Sequence, residues 1–239
     1  QYFRYIGQLV QGDLGPSYGG MGSRTVNEII ADSFPTSFQL GLVTALFAML
    51  IGIPLGVLAA WKKGTWIDWS ATFVSIAGVS LPSYLVASLL ILFFSLWLGW
   101  LPPALWEDWR SAILPAVTLG LRPMALVARM TRTALLETLK SDYVRTARAK
   151  GVSQSVILFK HALKNALIPV VTVSGPLVAA IIAGSFVVEV IFAIPGMGKY
   201  FVSAVIDRDY TLIMGLTLVY GLIVIAVNLF VDMLYGAID

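Results

Sequence analysis

Residues 141–169 read SDYVRTARAKGVSQSVILFKHALKNALIP, the most polar stretch of a chain that is otherwise largely apolar. Long hydrophobic segments flank it on both sides. A run this charged is costly to bury in a bilayer, whereas the flanking segments are long and apolar enough to cross one. The fold class is therefore all-α and polytopic: apolar helices cross the membrane and hold residues 141–169 on one side of it.

Composition points the same way. Of 239 residues, 58% are hydrophobic and 12% charged, against about 25% charged in a soluble domain. Mean hydropathy is +0.86. With no cysteine there is no disulfide framework and no thiolate chemistry. A single histidine argues against a metal centre. The net charge of +3 fits positive loops on one membrane face better than a nucleic-acid partner.

Outward from the opening stretch, five spans are expected. They are 35–60, 68–98 with a break at Ser80-Leu81-Pro82-Ser83, 112–139, 166–188 with Pro169 and Pro176 inside, and 211–235. Residues 1–33 hold turn chemistry (Gly12 to Ser17, Gly19 to Gly22) and a short helix at 26–33. Thr25 and Glu28 have the spacing of a capping box for that helix. Trp97, Trp100, Trp106 and Trp109 cluster where an interface belt belongs.

Nine Lys and Arg lie between Arg122 and Lys164, opposed only by Glu137 and Asp142. The Lys62-Lys63 turn falls on the same side. The segments 99–111 and 189–209 are net acidic. Positive-inside then puts 61–66, 140–165 and the C-terminus in the cytoplasm, and residues 1–33 outside. An outside N-terminus beginning at Gln1 suggests that a first transmembrane helix precedes this sequence. The expected domains are an extracytoplasmic segment at 1–33 and a transmembrane domain at 34–236, with a cytoplasmic loop at 140–165.

Locally, the opening stretch reads as helix–Gly–helix. Ser141 or Asp142 caps a helix over 142–150, Gly151 takes the left-handed position after it, and Ser153 caps a second helix over 154–163. Arg145, Arg148 and Lys150 stand beside the small Ala147 and Ala149. Two uses fit this pattern: a basic amphipathic loop on anionic lipid, or a docking element for a soluble partner.

The stretch resembles the cytoplasmic signature loop of ABC importer membrane subunits: Glu-Ala-Ala, three residues, Gly, nine residues, then Ile-x-Leu-Pro. Aligned on Gly151, Ala147, Gly151 and Leu163 match. Arg145, Thr146, His161 and Lys164 depart from the pattern in the way of the peptide/nickel permease family. Further motifs of that family follow in order. They are Gly12 to Ser17, Ser80 to Ser83, Ile113 to Pro115, Ala128 to Arg132, Gly184-Ser185, Val188-Glu189, Pro195 to Gly198, Arg208 to Tyr210 and Asp232 to Tyr235. Gly15 to Tyr18 and Ser33 to Pro35 are most similar to the B-type membrane subunit of oligopeptide permeases.

This resemblance implies a type I ABC importer transmembrane domain with six spans, the first missing here. It implies a bacterial inner-membrane permease for oligopeptides, with dipeptides, nickel or glutathione as related cargoes. The implied partners are a homologous second membrane subunit, two ATPase subunits and an extracytoplasmic peptide-binding protein. No cofactor is expected on this chain, since ATP and Mg belong to the ATPases; the chain has no phosphate-binding G-x-x-x-x-G-K-[ST] loop. Asp142, Arg145, Ala147, Arg148, Lys150, Gly151 and His161 become the expected ATPase-docking residues.

Arg122, about ten residues into its span, is a pathway candidate with Ser80, Pro82 and Ser174. Arg122 is equally compatible with pairing inside the protein or lining a wet cavity. Pro195 to Gly198 reads as an outward turn or binding-protein contact rather than a nucleotide loop. Glu189 and Asp232, near span ends, read as snorkelling or structural. An ion-coupled transporter or channel would want acids inside spans 36–60, 69–98 and 211–231, which have none. A membrane enzyme would want a Ser–His or paired-Asp constellation at depth.

Overall fold

A computed structural model describes residues 2–19, 24–183 and 185–238, with side chains from residue 6 onward except 183, 232 and 234–238. The readings made for Gly184 and Asp232, and most of the Gly19 to Gly22 turn, lie outside the described groups. The helices are α1 (Tyr2–Val10), α2 (Val26–Trp61), α3 (Trp66–Ser80), α4 (Ser83–Leu90), α5 (Ile113–Thr138), α6 (Asp142–Ala149), α7 (Gln154–Val156), α8 (Leu163–Ala183), α9 (Phe186–Ile191), α10 (Met197–Ile206) and α11 (Tyr210–Ile238). Two wide-turn π-helical stretches, Ile91–Trp97 and Ile157–Ala162, prolong α4 and join α7 to α8. Four helical runs are long and apolar enough to cross a membrane, and a fifth arises if Trp66–Ser80 and Ser83–Trp97 form one broken span.

Four of the five expected spans are present, and the expected 68–98 span is the broken pair Trp66–Ser80 and Ser83–Trp97; several ends move. The short helix at 26–33 and the span from Pro35 are one helix, α2. It opens on the expected capping box: the Thr25 N–H donates to Glu28 Oε2 at 3.0 Å, and the Glu28 N–H to Thr25 Oγ1 at 3.3 Å. Helix α1 was not expected at all. The fourth apolar run, Gln154–Ile191, takes in the expected 166–188, whereas residues 189–209 are no simple loop because they contain α10.

Prolines account for part of the difference. Pro82 does break its span: Leu81 before it is extended (φ −81°, ψ 129°), the conformation a following proline imposes. Pro169 and Pro176, by contrast, do not interrupt α8. In hydrocarbon a broken helix exposes several unpaired groups, whereas an unbroken one loses a single N–H bond per proline. Hydroxyls in the same turns add bonds, Thr172 Oγ1 donating to the Ile168 carbonyl at 2.9 Å and Ser174 Oγ to Val171 at 2.6 Å.

The chain forms two compact units. The first comprises Gln1–Val43, Ser83–Leu119 and Val178–Asn228. One of its cores gathers Val26, Ile29, Met197, Leu212 and Leu216; the other gathers Leu40, Leu114, Val188, Phe192 and Ile194. The second unit comprises Thr44–Pro82, Gly120–Leu177 and Leu229–Asp239, with a core of Val57, Ala60, Leu135, Leu158, Ala162 and Ala166. Elsewhere large apolar side chains face outward: Leu50, Phe73, Leu96 and Trp97 are all more than two-thirds exposed, as a lipid-facing surface requires.

Lipid tails are as apolar as leucine, so helices in a membrane associate through close van der Waals contact at small residues. In the second unit Gly52 and Gly56 of α2 supply that contact against α5. A Cβ on Gly52 would lie 2.8 Å from the Met124 carbonyl oxygen, and one on Gly56 would overlap the Ala128 carbonyl oxygen. Gly221 in α11 has open space around it. Gly56→Ala is therefore expected to destabilise the protein by about 1–3 kcal/mol through overpacking. Gly221→Ala should be neutral or add roughly 0.5–1 kcal/mol through helix propensity. Thermal unfolding in detergent checks this; equal shifts for both variants would refute the close-contact reading.

Candidate functional site

Residues 141–169 take the helix–Gly–helix form. Helix α6 begins at Asp142, where an acid suits the positive end of the helix dipole, and ends before Gly151. Gly151 has φ +78°, the left-handed conformation that favours glycine. The Val152 N–H donates to the Ala147 carbonyl at 3.2 Å and the Gly151 N–H to Arg148 at 3.0 Å, the paired bonds of a Schellman cap. The expected serine caps do not form. Ser141 and Ser153 hold the N-cap positions without a side-chain cap bond; the Ser141 hydroxyl instead donates to the Thr138 carbonyl at 2.6 Å.

One face of the segment is anchored. Val144 is fully buried. Ile157, Leu158 and Ala162 are buried, and Leu158 and Ala162 join the core that holds Val57, Ala60 and Leu135. Phe159 meets Trp61 edge-on with ring centres 6.0 Å apart. Tyr143 ties α6 to the start of α8: its hydroxyl accepts from Asn165 Nδ2 at 2.9 Å and donates to the His161 carbonyl at 3.3 Å. The other face is open. Asp142, Arg145, Arg148, Lys150 and Gly151 are exposed, and Ala147 and His161 are half-buried. The Asp142–Arg145 pair, at 3.4 Å, is solvated and contributes little stability. Five of the seven expected docking residues thus lie on a fixed, solvent-facing surface, with the other two at its margin.

The four pathway candidates do not form a site of this kind. Arg122 is exposed on α5, Ser80 donates to the Ile76 carbonyl, Pro82 marks the α3–α4 break and Ser174 donates to Val171. No hydrogen bond among the described residues joins them.

The family model for the inner membrane component of binding-protein-dependent transport systems matches residues 52–239. The chain belongs to this family. Membership makes it a transport component rather than an enzyme. The dipeptide transport system permease protein DppB of Bacillus subtilis is 45% identical over the whole chain, covering 77% of that protein. The oligopeptide transport system permease proteins OppB of Salmonella typhimurium and Escherichia coli are 44% and 42% identical, again over the whole chain and 78% of theirs. Among solved structures, an inward-facing MetNI methionine ABC transporter superposes with a TM-score of 0.74 at 18% identity, over 88% of this chain and 96% of that one. An amino acid ABC transporter crystallised with histidines gives 0.69 at 13%, over 88% and 94%. These two likenesses are of fold: a type I ABC importer transmembrane domain.

Within this inner membrane component, three carboxylates that sequence reasoning left unpaired prove to be structural knots. Asp68, 8% exposed, accepts from Arg132 Nε at 2.6 Å, Arg132 Nη2 at 2.9 Å and the Gly64 N–H at 3.0 Å. This two-pronged pair ties α3 to α5. Glu189 does not snorkel; it is fully buried. It accepts from Ser37 Oγ at 2.8 Å, Ser185 Oγ at 2.5 Å, the Gly198 N–H at 2.7 Å and the Lys199 N–H at 3.2 Å.

Glu189 also explains the Pro195 to Gly198 motif. The carboxylate docks on the N-terminus of α10, where free N–H groups and the helix dipole favour an anion. A Cβ on Gly196 would overlap its oxygen, and one on Gly198 would come within 2.9 Å. The signal was present in the sequence as an acid followed at short range by two glycines, but a turn gives the same letters.

Asp209 joins two motifs that lie far apart in sequence. Its Oδ2 accepts from Ser17 Oγ at 2.5 Å and from the Tyr18 and Gly19 N–H groups at 2.9 Å each, while Oδ1 accepts from the Leu212 N–H at 3.1 Å and caps α11. Burial pushes this carboxyl up, and the Ser17 hydroxyl with the Gly19, Leu212 and Tyr18 amides more than offsets it. Its pKa therefore lies below the ordinary carboxylate value. A group depressed on folding stabilises above its unfolded pKa, about 3.9, and that contribution fades as pH falls through the folded value. Asp209→Asn should thus lower the unfolding temperature relative to wild type at neutral pH. The gap should narrow below about pH 4; a gap independent of pH would refute the charged knot.

Proposed function

We propose that this chain is a peptide-carrying membrane subunit of an ATP-driven importer, with residues 141–169 as the element that receives force from an ATPase. The single observation that carries the peptide reading is 42–45% identity over the entire chain to permease proteins named for dipeptide and oligopeptide transport. Its partners are then a homologous membrane subunit, two ATPase subunits that bind ATP and Mg, and an extracytoplasmic peptide-binding protein. In this reading the lysine-bearing turn at 62–63 and residues 140–165 face the cytoplasm, as does the C-terminus.

The coupling role rests on the contrast between the two faces of the segment. A partner pressing on Arg145, Arg148 and Lys150 meets a short helix that does not slide independently, because Tyr143 bonds it to His161 and Asn165, Val144 is buried and the Gly151 corner fixes its end. The buried Leu158 and Ala162 pass that displacement to Val57 of α2 and Leu135 of α5. The segment and these helices then move as one packed body between inward- and outward-open states. Asp142, Ala147 and His161 complete the docking surface. Substrate choice belongs to the binding protein in this scheme, and Arg122, Ser80, Pro82 and Ser174 remain the candidate pathway contacts.

Two experiments test these statements. Uptake of di-, tri- and pentapeptides is compared with uptake of nickel in a deletion strain carrying the intact operon or an empty vector. Peptide uptake restored without nickel uptake is expected. The highest of the three identities quoted belongs to a dipeptide system, so a response confined to dipeptides favours that narrower cargo, and restoration of nickel alone refutes the peptide reading. Separately, Gly151→Leu forces a left-handed residue to carry a side chain, at about 1–2 kcal/mol, and places bulk on the docking face. Arg145→Glu reverses a surface charge. Both should abolish uptake and loosen ATPase co-purification while the protein still inserts; wild-type association and uptake in both would refute the coupling role.

A further inference from the structure

A groove between α2, α3 and α5 has a volume of about 230 Å³ and lies wholly within the second unit. Its lining includes the apolar Leu55 and Ile76 and the polar Thr72, Ser75, Arg129 and Arg132. Arg132 is held in place by Asp68, which takes Nε and Nη2 and leaves Nη1 outside the pair. Arg129, one turn earlier, is exposed, and the described side chains form no salt bridge to it. With Asp68 counted, the three charged groups sum to +1. The groove therefore presents one fixed and one adjustable guanidinium, beside hydroxyls, to a monoanion.

What borders the groove decides which anion it takes. On α3, Asp68 and Gly78 are buried, while Trp66, Trp69, Phe73 and Ile76 form an outward stripe, exposed by 76, 72, 71 and 57%. Tryptophans at the end of an apolar helix mark the headgroup level of a bilayer. Ile76 belongs both to that stripe and to the groove wall, so the cavity opens sideways onto lipid. Its volume falls below the roughly 300–1,000 Å³ of pockets that enclose drug-sized ligands; it suits a phosphate with its glycerol better than an oligopeptide. Basic pockets between membrane helices are apt sites for anionic headgroups.

We propose that this groove binds the phosphate headgroup of an anionic phospholipid, Arg129 supplying the principal contact and Arg132, set by Asp68, the second. The acyl chains run down the apolar stripe of α3. The site rests on the membrane embedding of these helices and not on the peptide reading, so the two stand or fall separately.

The test uses the intact transporter with its partner subunits, purified in detergent and followed by native mass spectrometry. Short-chain phosphatidylglycerol is titrated against phosphatidylcholine of equal chain length, with inorganic phosphate as competitor. Phosphatidylglycerol is expected to be retained over phosphatidylcholine. Arg129→Gln should reduce that retention about tenfold, the effect of losing one charge-assisted hydrogen bond. Thr72→Val should reduce it less, and Arg110→Gln, outside the groove, should leave it unchanged.

Equal retention of the two lipids overturns the proposal, as does unchanged phosphatidylglycerol retention in Arg129→Gln and Thr72→Val. Displacement by inorganic phosphate alone at equal concentration overturns it in favour of a free-anion site. Loss of peptide uptake by Arg129→Gln with lipid retention intact overturns it in favour of a substrate contact. If Arg129→Gln does not assemble, Thr72→Val carries the comparison, since it leaves both guanidinium groups in place.

Discussion

A backbone N–H or C=O left unpaired in hydrocarbon costs several kcal/mol, and the folded chain is arranged around that constraint. It keeps α8 continuous through Pro169 and Pro176 and α2 continuous through Pro35. Burial away from water sets the same demand on the buried acids, whether or not lipid surrounds them. Glu189 meets the free N–H groups that open α10, and Asp209 meets those of Tyr18, Gly19 and Leu212. In each case a charge that would be costly alone, and helix or loop amides that would be costly alone, satisfy one another. Asp68 and Arg132 apply the same logic between two side chains.

The second constraint is the absence of a hydrophobic drive between helices in lipid. Contact must come from close approach, so glycines appear where helices touch: Gly52 and Gly56 against α5, and Gly78 of α3 against α5. Large apolar side chains, which would fill the core of a soluble protein, turn outward instead. The proposed coupling segment combines both habits. Val144, Ile157, Leu158 and Ala162 are buried and Arg145, Arg148 and Lys150 are exposed, while Val156, Phe159 and Ile168 also face outward.

Much of this was legible in advance. Apolar length was enough for the four continuous spans and for the broken pair at 68–98, because it depends on the residues of one segment at a time. The Thr25–Glu28 box and the left-handed Gly151 were legible because their partners lie within a few residues. Helix ends were less so. Pro82 and Pro176 are the same letter, yet one breaks a helix and the other does not, since the outcome depends on what surrounds each turn. Helix α10 was missed because Pro195 to Gly198 signals a turn as readily as a helix start. The serines at 141 and 153 were expected to cap; proximity allowed it, but Thr138 offered the Ser141 hydroxyl a better acceptor.

The sequence by itself determined that the chain spans a membrane, which stretch is polar, and which family it resembles, since composition, periodicity and local motif spacing carry those facts. Only the tertiary structure decided what Glu189, Asp209 and Asp68 do. Their partners lie up to 192 residues away, and a pairing over that distance is set by how the helices pack, which no local spacing encodes. The same holds for the opening stretch. Its charges were plain in the letters, but that Tyr143 ties it to the helix that follows and Val144 is buried, leaving Arg145, Arg148 and Lys150 exposed, is a property of the folded chain.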